Sequence, residues 1–142
     1  MGPTQPEAMH FSWPVRVYYE DTDAGGVVYY ANYLKFFERA RTEWLRSLGL
    51  NQDKLQEESG LIFVVRRALL DFVRPARLDD LLQITVEPKK LARVYVDLAQ
   101  HARRGEELLA RAEIRVACLG KSGLKPALVP PVLRGIATSA RL

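Results

Sequence analysis

Asn32-Tyr33-Leu34-Lys35-Phe36-Phe37-Glu38-Arg39-Ala40-Arg41-Thr42-Glu43-Trp44-Leu45-Arg46-Ser47-Leu48-Gly49 decides the architecture of this chain. Leu34, Phe37, Ala40 (or Arg41 by its stem), Trp44, Leu45 and Leu48 recur at intervals of three and four. That is the period of a helix with one apolar face. Asn32 is a natural N-cap and Gly49 a natural residue just past a helix end. The expected helix is about 25 Å long, enough to cross a small sheet. Phe36, Phe37 and Trp44 are expected in the core.

The pattern changes on moving outward. Asn51 to Ser59 reads as a short second helix stopped by Gly60. From Leu61 to Val73 the chain is rich in β-branched and aromatic residues, and three period-two segments follow. In them Leu82, Ile84 and Val86, then Val94, Val96 and Leu98, then Ala110, Ala112, Ile114, Val116 and Cys118 alternate with polar neighbours. Punctuation falls at Arg74-Pro75, Glu87-Pro88, Arg104-Gly105 and Gly120 to Gly123. Upstream, Val15, Val17 and Tyr19 alternate with Arg16 and Tyr18 as a further strand. One long helix with a largely consecutive set of strands is an α+β fold, an antiparallel sheet of about five strands against a central helix. Residues 1–12 read as a flexible tail, 13–130 as the domain, and 131–142, with Pro130-Pro131 and little periodicity, as a C-terminal tail. Long strands leave edges that need cover, so pairing between subunits is expected.

Composition narrows the function. The chain has 142 residues, a net charge of +4 and one cysteine, which excludes an internal disulfide. His10 and His101 stand far apart, so no zinc site is expected. No apolar run reaches membrane-spanning length and the N-terminus lacks a signal-peptide pattern, so a cytoplasmic protein is expected. The basic residues are scattered, which suits a phosphorylated small ligand better than a nucleic-acid duplex. Cys118 reads as a small core residue.

Chemistry concentrates between the first strand and the helix, in Tyr19-Glu20-Asp21-Thr22-Asp23-Ala24-Gly25-Gly26-Val27-Val28-Tyr29-Tyr30. Two aspartates and two glycines precede a helix start. This pairs a base or nucleophile with a place where negative charge can develop. An isolated Asp before Gly-Gly more commonly makes a turn.

The run from Val15 to Tyr29 resembles the hotdog-fold acyl-CoA thioesterases. Within them it is similar to the bacterial family associated with the tol-pal cell-envelope system and related to 4-hydroxybenzoyl-CoA thioesterase. The resemblance continues through Phe37-Glu38-Arg39-Ala40-Arg41-Thr42-Glu43, Pro75-Ala76-Arg77-Leu78-Asp79-Asp80 and Lys125 to Pro130. It implies a hotdog fold working as a homodimer or as a homotetramer built from two dimers, with acyl sites at the subunit interface. It further implies hydrolysis of an acyl-CoA to free acid and coenzyme A, with coenzyme A part of the substrate and no separate cofactor. Asp23 matches the family's essential aspartate, as nucleophile or general base. Tyr30 stands where many members have histidine, and the backbone N–H there is implied to polarise the thioester carbonyl. Tyr19 matches a cleft tyrosine, with core packing an equal reading. Phe63 and Val64 begin the strand lining the acyl end. Arg93 and Lys125, with Lys90 next, are the expected contacts to the phosphates of coenzyme A. Asp21 and the glycines shape the loop, and Glu38 and Glu43 read as a solvated or ion-paired face. A hydratase reading lacks a histidine on the helix. The alternative is a weakly catalytic or non-catalytic protein that binds acyl-CoA or acyl carrier protein in lipid or envelope metabolism.

Overall fold

The computed structural model describes residues 11–140. Five strands, β1 (Phe11–Arg16), β2 (Leu61–Phe72), β3 (Leu81–Leu91), β4 (Tyr95–Arg104) and β5 (Glu107–Gly120), form one sheet in the order β1-β3-β4-β5-β2. Every neighbouring pair is antiparallel. Helix α1 (Asn32–Ser47) lies against one face, α2 (Gln52–Ser59) leads into β2, and α3 (Pro131–Ala140) follows the sheet. This is the expected α+β architecture, and no helix among the described residues is long and apolar enough to cross a membrane.

The core forms where the helical period meets the strand period. Helix α1 buries Tyr33, Phe36, Phe37, Ala40, Trp44 and Leu45. Opposite them lie Leu82, Ile84 and Val86 of β3, Val96 and Leu98 of β4, and the alternate residues Ala110 to Cys118 of β5. Leu34, expected on the buried stripe, is 45% exposed. Tyr33 takes the inner position because its hydroxyl accepts the Ala76 N–H at 3.1 Å. Gly49, at φ 83°, ends α1: the Leu50 N–H donates to the Leu45 carbonyl and the Gly49 N–H to that of Arg46. These are the two bonds of a Schellman motif.

Several expectations are corrected. Asn32 does not cap α1. Ala31 occupies that position, and the Asn32 carboxamide reaches back to donate to the Asp21 carbonyl at 2.9 Å. Among the described residues the first strand runs from Phe11 to Arg16, and Phe11 and Ser12 pair with Val86 and Thr85 instead of forming a tail. Residues 1–10 lie outside the described residues. The alternation breaks after Val17 because Tyr18 and Asp21 bond to each other in both directions, Tyr18 N–H to the Asp21 carboxylate and Asp21 N–H to the Tyr18 carbonyl. That curls 19–21 into a 3-10 turn. Pro88 does not end β3, which runs on to Leu91. Pro88 falls at a register shift between Pro88 and Lys90 in the β3–β4 pairing, an irregularity where a strand tolerates proline. The segment from Pro131 is a helix, with proline at its first position and Leu133 fully buried.

The connection from β2 to β3 crosses the ends of β5 and β4. Its backbone cannot join the ladder, so it finds partners elsewhere. Val73 and Arg74 N–H both donate to the Leu109 carbonyl, Asp79 N–H to that of Val17, and Ala76 N–H to the Tyr33 hydroxyl. Tyr33→Phe leaves that buried N–H unpaired, at an expected cost of about 1–3 kcal/mol. Urea unfolding checks this, and unchanged stability contradicts it.

Candidate active site

The Asp23 segment is a small hairpin held by its own backbone. Thr22 bridges to Val28, the Asp23 N–H donates to the Val27 carbonyl at 2.9 Å, and the Gly26 N–H to the Asp23 carbonyl at 3.0 Å. Gly26 sits at φ 79°, a conformation that favours glycine. Asp23 lies at the exposed tip. Its Oδ1 accepts the Gly25 N–H at 2.9 Å and, more weakly, the Val27 N–H at 3.4 Å. These bonds fix the carboxylate through Oδ1. Asp21, buried beneath, accepts the Tyr18 N–H at 2.8 Å. Its carbonyl takes both the Tyr29 N–H and the Asn32 carboxamide. Loop and helix start are therefore one unit.

Tyr30 stands in the turn that enters α1. The carbonyls of Tyr29 and Tyr30 accept from Asn32 and Tyr33, while the Tyr30 N–H donates to no group among the described residues. Its ring meets Phe72, the last residue of β2, edge-on at 6.1 Å and leans on Tyr29 at 4.7 Å. A hydrogen bond to Tyr30 raises the Tyr29 hydroxyl above the ordinary phenol range, with charge on Tyr30 and desolvation adding to the shift. Tyr30, Tyr33, Phe72 and Arg74 line a shallow groove of about 270 Å3. Tyr19 is on the preceding turn, 82% exposed in the protomer.

The second constellation is elsewhere. Between α1 and the sheet, at the start of β2, lies a cleft of about 360 Å3. Phe63, Val64 and Val65 form its mouth on β2, Val96, Leu98 and Val116 its floor, and Trp44, Leu45 and Leu133 its inner wall. The α1 row Glu38, Arg41 and Thr42 flanks it, with Gln52 of α2. Phe63 and Phe72 are nine residues apart on one strand, so the cleft mouth and the Tyr30 groove are about 30 Å apart at roughly 3.3 Å per residue.

Arg93 and Lys125 come to the cleft's end of the sheet. The Arg93 carbonyl accepts the Val129 N–H, and the Lys125 carbonyl accepts the Gly120 N–H. Both side chains are exposed. Lys90 is separate, on the outer face of the sheet, its ammonium 5.5 Å from the Tyr95 ring centroid. Arg115 also lies against that ring, at 4.1 Å.

One buried polar residue escaped the sequence reading. Gln100 is fully buried. Its Nε2 donates to the Phe37 carbonyl at 3.0 Å and the Thr85 carbonyl at 3.4 Å, which turns its oxygen toward Arg41 Nη1 at 2.9 Å. Burial pulls the Arg41 guanidinium below its ordinary range. The only signal was position, since Gln100 continues the inward row Val96, Leu98. Cys118 is buried with its thiol pushed up by desolvation. Glu43 pairs with Arg46 at 2.9 Å.

The β2–β3 crossover supports the Asp23 hairpin. Val28 N–H donates to the Ala76 carbonyl and Val27 bridges to Arg77. The crossover is itself stapled: Arg104 reaches Asp80 at 2.6 Å and Glu107 at 2.7 Å, and Arg74 reaches Glu107 at 3.0 Å.

A five-stranded antiparallel sheet around a long helix, with an aspartate hairpin feeding that helix and an acyl-sized cleft, defines a hotdog thioesterase. The chain belongs to the thioesterase-like superfamily, whose family model matches residues 17–136. It is 48% identical over 120 residues to the acyl-CoA thioesterase YbgC of Haemophilus influenzae, covering 84% of this chain and 88% of that one. It is 46% identical over 121 residues to the acyl-CoA thioester hydrolase YbgC of Escherichia coli, covering 84% and 90%. Among solved structures it superposes on a probable thioesterase from Bartonella henselae with a TM-score of 0.80 at 39% identity, covering 85% of this chain and 99% of that one.

The staple carries a pH dependence. Hydrogen bonds from Arg104 and then Arg74 hold the Glu107 carboxyl below the usual glutamate range. Stability from a depressed carboxyl is fully present above the unfolded value and is lost as pH falls through the folded one. Thermal unfolding followed from about pH 7 to about pH 3 is expected to lose less stability in Glu107→Gln than in wild type. Identical acid limbs contradict this.

Proposed function

We propose that the protein hydrolyses acyl-CoA thioesters at a site shared between two copies of the chain. The observation carrying this reading is the separation within one protomer. Asp23 and the Tyr30 N–H belong to the end of β2 marked by Phe72, whereas the cleft opens at Phe63. Among the described residues β2 pairs only with β5, and Val64, Val65, Leu69 and Phe72 along it are exposed. An exposed apolar edge of that length invites pairing with a second strand. A two-fold axis across antiparallel β2 edges sets the Phe72 end of one copy beside the Phe63 end of the other. The Asp23 hairpin then faces the partner's cleft mouth.

In that arrangement the thioester carbonyl lies between Asp23 and the start of α1. The unspent Tyr30 N–H, at the positive end of α1, stabilises the oxyanion. Such a donor is worth roughly 2.7–4 kcal/mol of transition-state stabilisation. Asp23 either attacks the carbonyl, expelling the coenzyme A thiolate and forming an acyl anhydride that water opens, or takes a proton from the attacking water. Both routes yield free acid and coenzyme A. Arg93 and Lys125, at the cleft's end of the sheet, and Lys90 are the cations assigned to the phosphates. Tyr19, exposed beside the hairpin, is available to the bound substrate, and Phe63 and Val64 receive the acyl group. No metal or further cofactor enters this reading, and a cytoplasmic homo-oligomer is its setting.

Free-thiol release from an acyl-CoA panel tests it. Asp23→Asn is expected to lower kcat by at least about 100-fold, while Tyr30→Phe, which keeps the backbone N–H, stays within about threefold. Undiminished turnover in a folded Asp23→Asn protein sinks the assignment. Wild-type protein that binds acyl-CoA without turnover supports the binding-protein alternative.

A further inference from the structure

The cleft has a direction. Its lining passes from Phe63 and Val65 on edge strand β2 to Val116 on β5 and then to Val96 and Leu98 on β4. No residue of the next strand, β3, lines it. There α3 packs on the sheet instead, and among the described side chains of α3 it is Leu133, fully buried, that lines the cleft. Two strand spacings set β4 about 10 Å inward of β2. Leu133 therefore stands at the inner end, across the sheet from the mouth.

The wall is fixed by local chemistry. Val129 N–H donates to the Arg93 carbonyl at 2.8 Å, and Leu133 N–H to the Pro130 carbonyl at 3.0 Å. Pro130 and Pro131 hold the chain at the point where it turns into α3. Val129, fully buried beside this turn, anchors it to the core. Trp44 and Leu45 of α1 line the cleft from the helix side. They belong to the helix that carries the core, whereas Leu133 is attached through one turn and one short helix.

We infer that Leu133 is the chain-length stop of the acyl cleft, so that a single side chain of α3 sets which straight-chain acyl groups the protein accepts. This rests on the proposed thioesterase reading and adds the substrate determinant to it. Leu133→Ala removes three carbon atoms from the wall and leaves a cavity that the surroundings only partly close. The longer acyl chain fills that cavity. One methylene housed or excluded in an apolar pocket is worth about tenfold or more in kcat/KM.

The test is a straight-chain series from acetyl-CoA to palmitoyl-CoA, read by thiol release. A matching series of non-hydrolysable thioether analogues is read by calorimetry. In Leu133→Ala the optimum is expected to move to longer chains by about two carbons, with kcat/KM for the first chain beyond the wild-type optimum raised about tenfold. In Leu133→Phe it moves to shorter chains, and the Kd optima of the analogues move with it. A residue that only packs the core would lower stability in both variants and leave the optimum in place. An unchanged optimum in folded Leu133→Phe overturns the inference. Shifted Kd optima without any turnover by wild type sustain the stop and overturn the thioesterase reading.

Discussion

The structure depends on how the chain gets from β2 to β3. These strands are consecutive in sequence but separated in the sheet by β5 and β4, so the crossover must run outside the ladder with its polar backbone satisfied elsewhere. It bonds to the Tyr33 hydroxyl, the Leu109 carbonyl and the Val17 carbonyl, and ion pairs from Arg104 and Arg74 clamp its ends. Exposed ion pairs contribute little singly. Here they share partners, and they hold a segment that in turn holds the Asp23 hairpin through Val27 and Val28. Topology, hairpin and helix entry are consequences of one crossing.

The same topology leaves β2 at an edge. A sheet that ordered its strands by sequence would bury β2 between neighbours. This one exposes it with apolar residues on both faces. The hairpin and the cleft mouth lie at opposite ends of that edge, about 30 Å apart by strand rise. In the proposed dimer, two-fold pairing of the edge turns this separation into adjacency. A shared site then requires no movement of either half, only a second copy.

Much of this was legible in the sequence, where a period met no competing interaction. The helix and its stop at Gly49, the second helix between Asn51 and Gly60, and the inward rows of β3, β4 and β5 all followed from alternation and punctuation. The failures have physical causes. Pro88 reads as a break unless one knows that the β3–β4 pairing shifts register there. Tyr19 continues an apolar alternation, yet the Asp21 carboxylate captures the Tyr18 N–H and ends the strand first. Asn32 looks like a cap, but the Asp21 carbonyl claims its carboxamide. Leu133 sits in a stretch with too little periodicity to announce a helix, and its burial depends on a cleft that no local pattern encodes. Gln100 and Arg41 are polar residues on inward rows, where sequence alone cannot supply the partner.

The shared site is the central claim, and subunit complementation addresses it directly. Asp23→Asn abolishes the carboxylate of one half. Thr42→Trp fills the cleft from the surface of α1 and disables the other. Each variant alone is expected to be nearly inactive. Co-refolded in equal amounts, they form mixed dimers with one intact site, and about a quarter of wild-type thiol release returns. Mixed dimers that form and stay inactive would place both halves of the site within one chain and contradict the account.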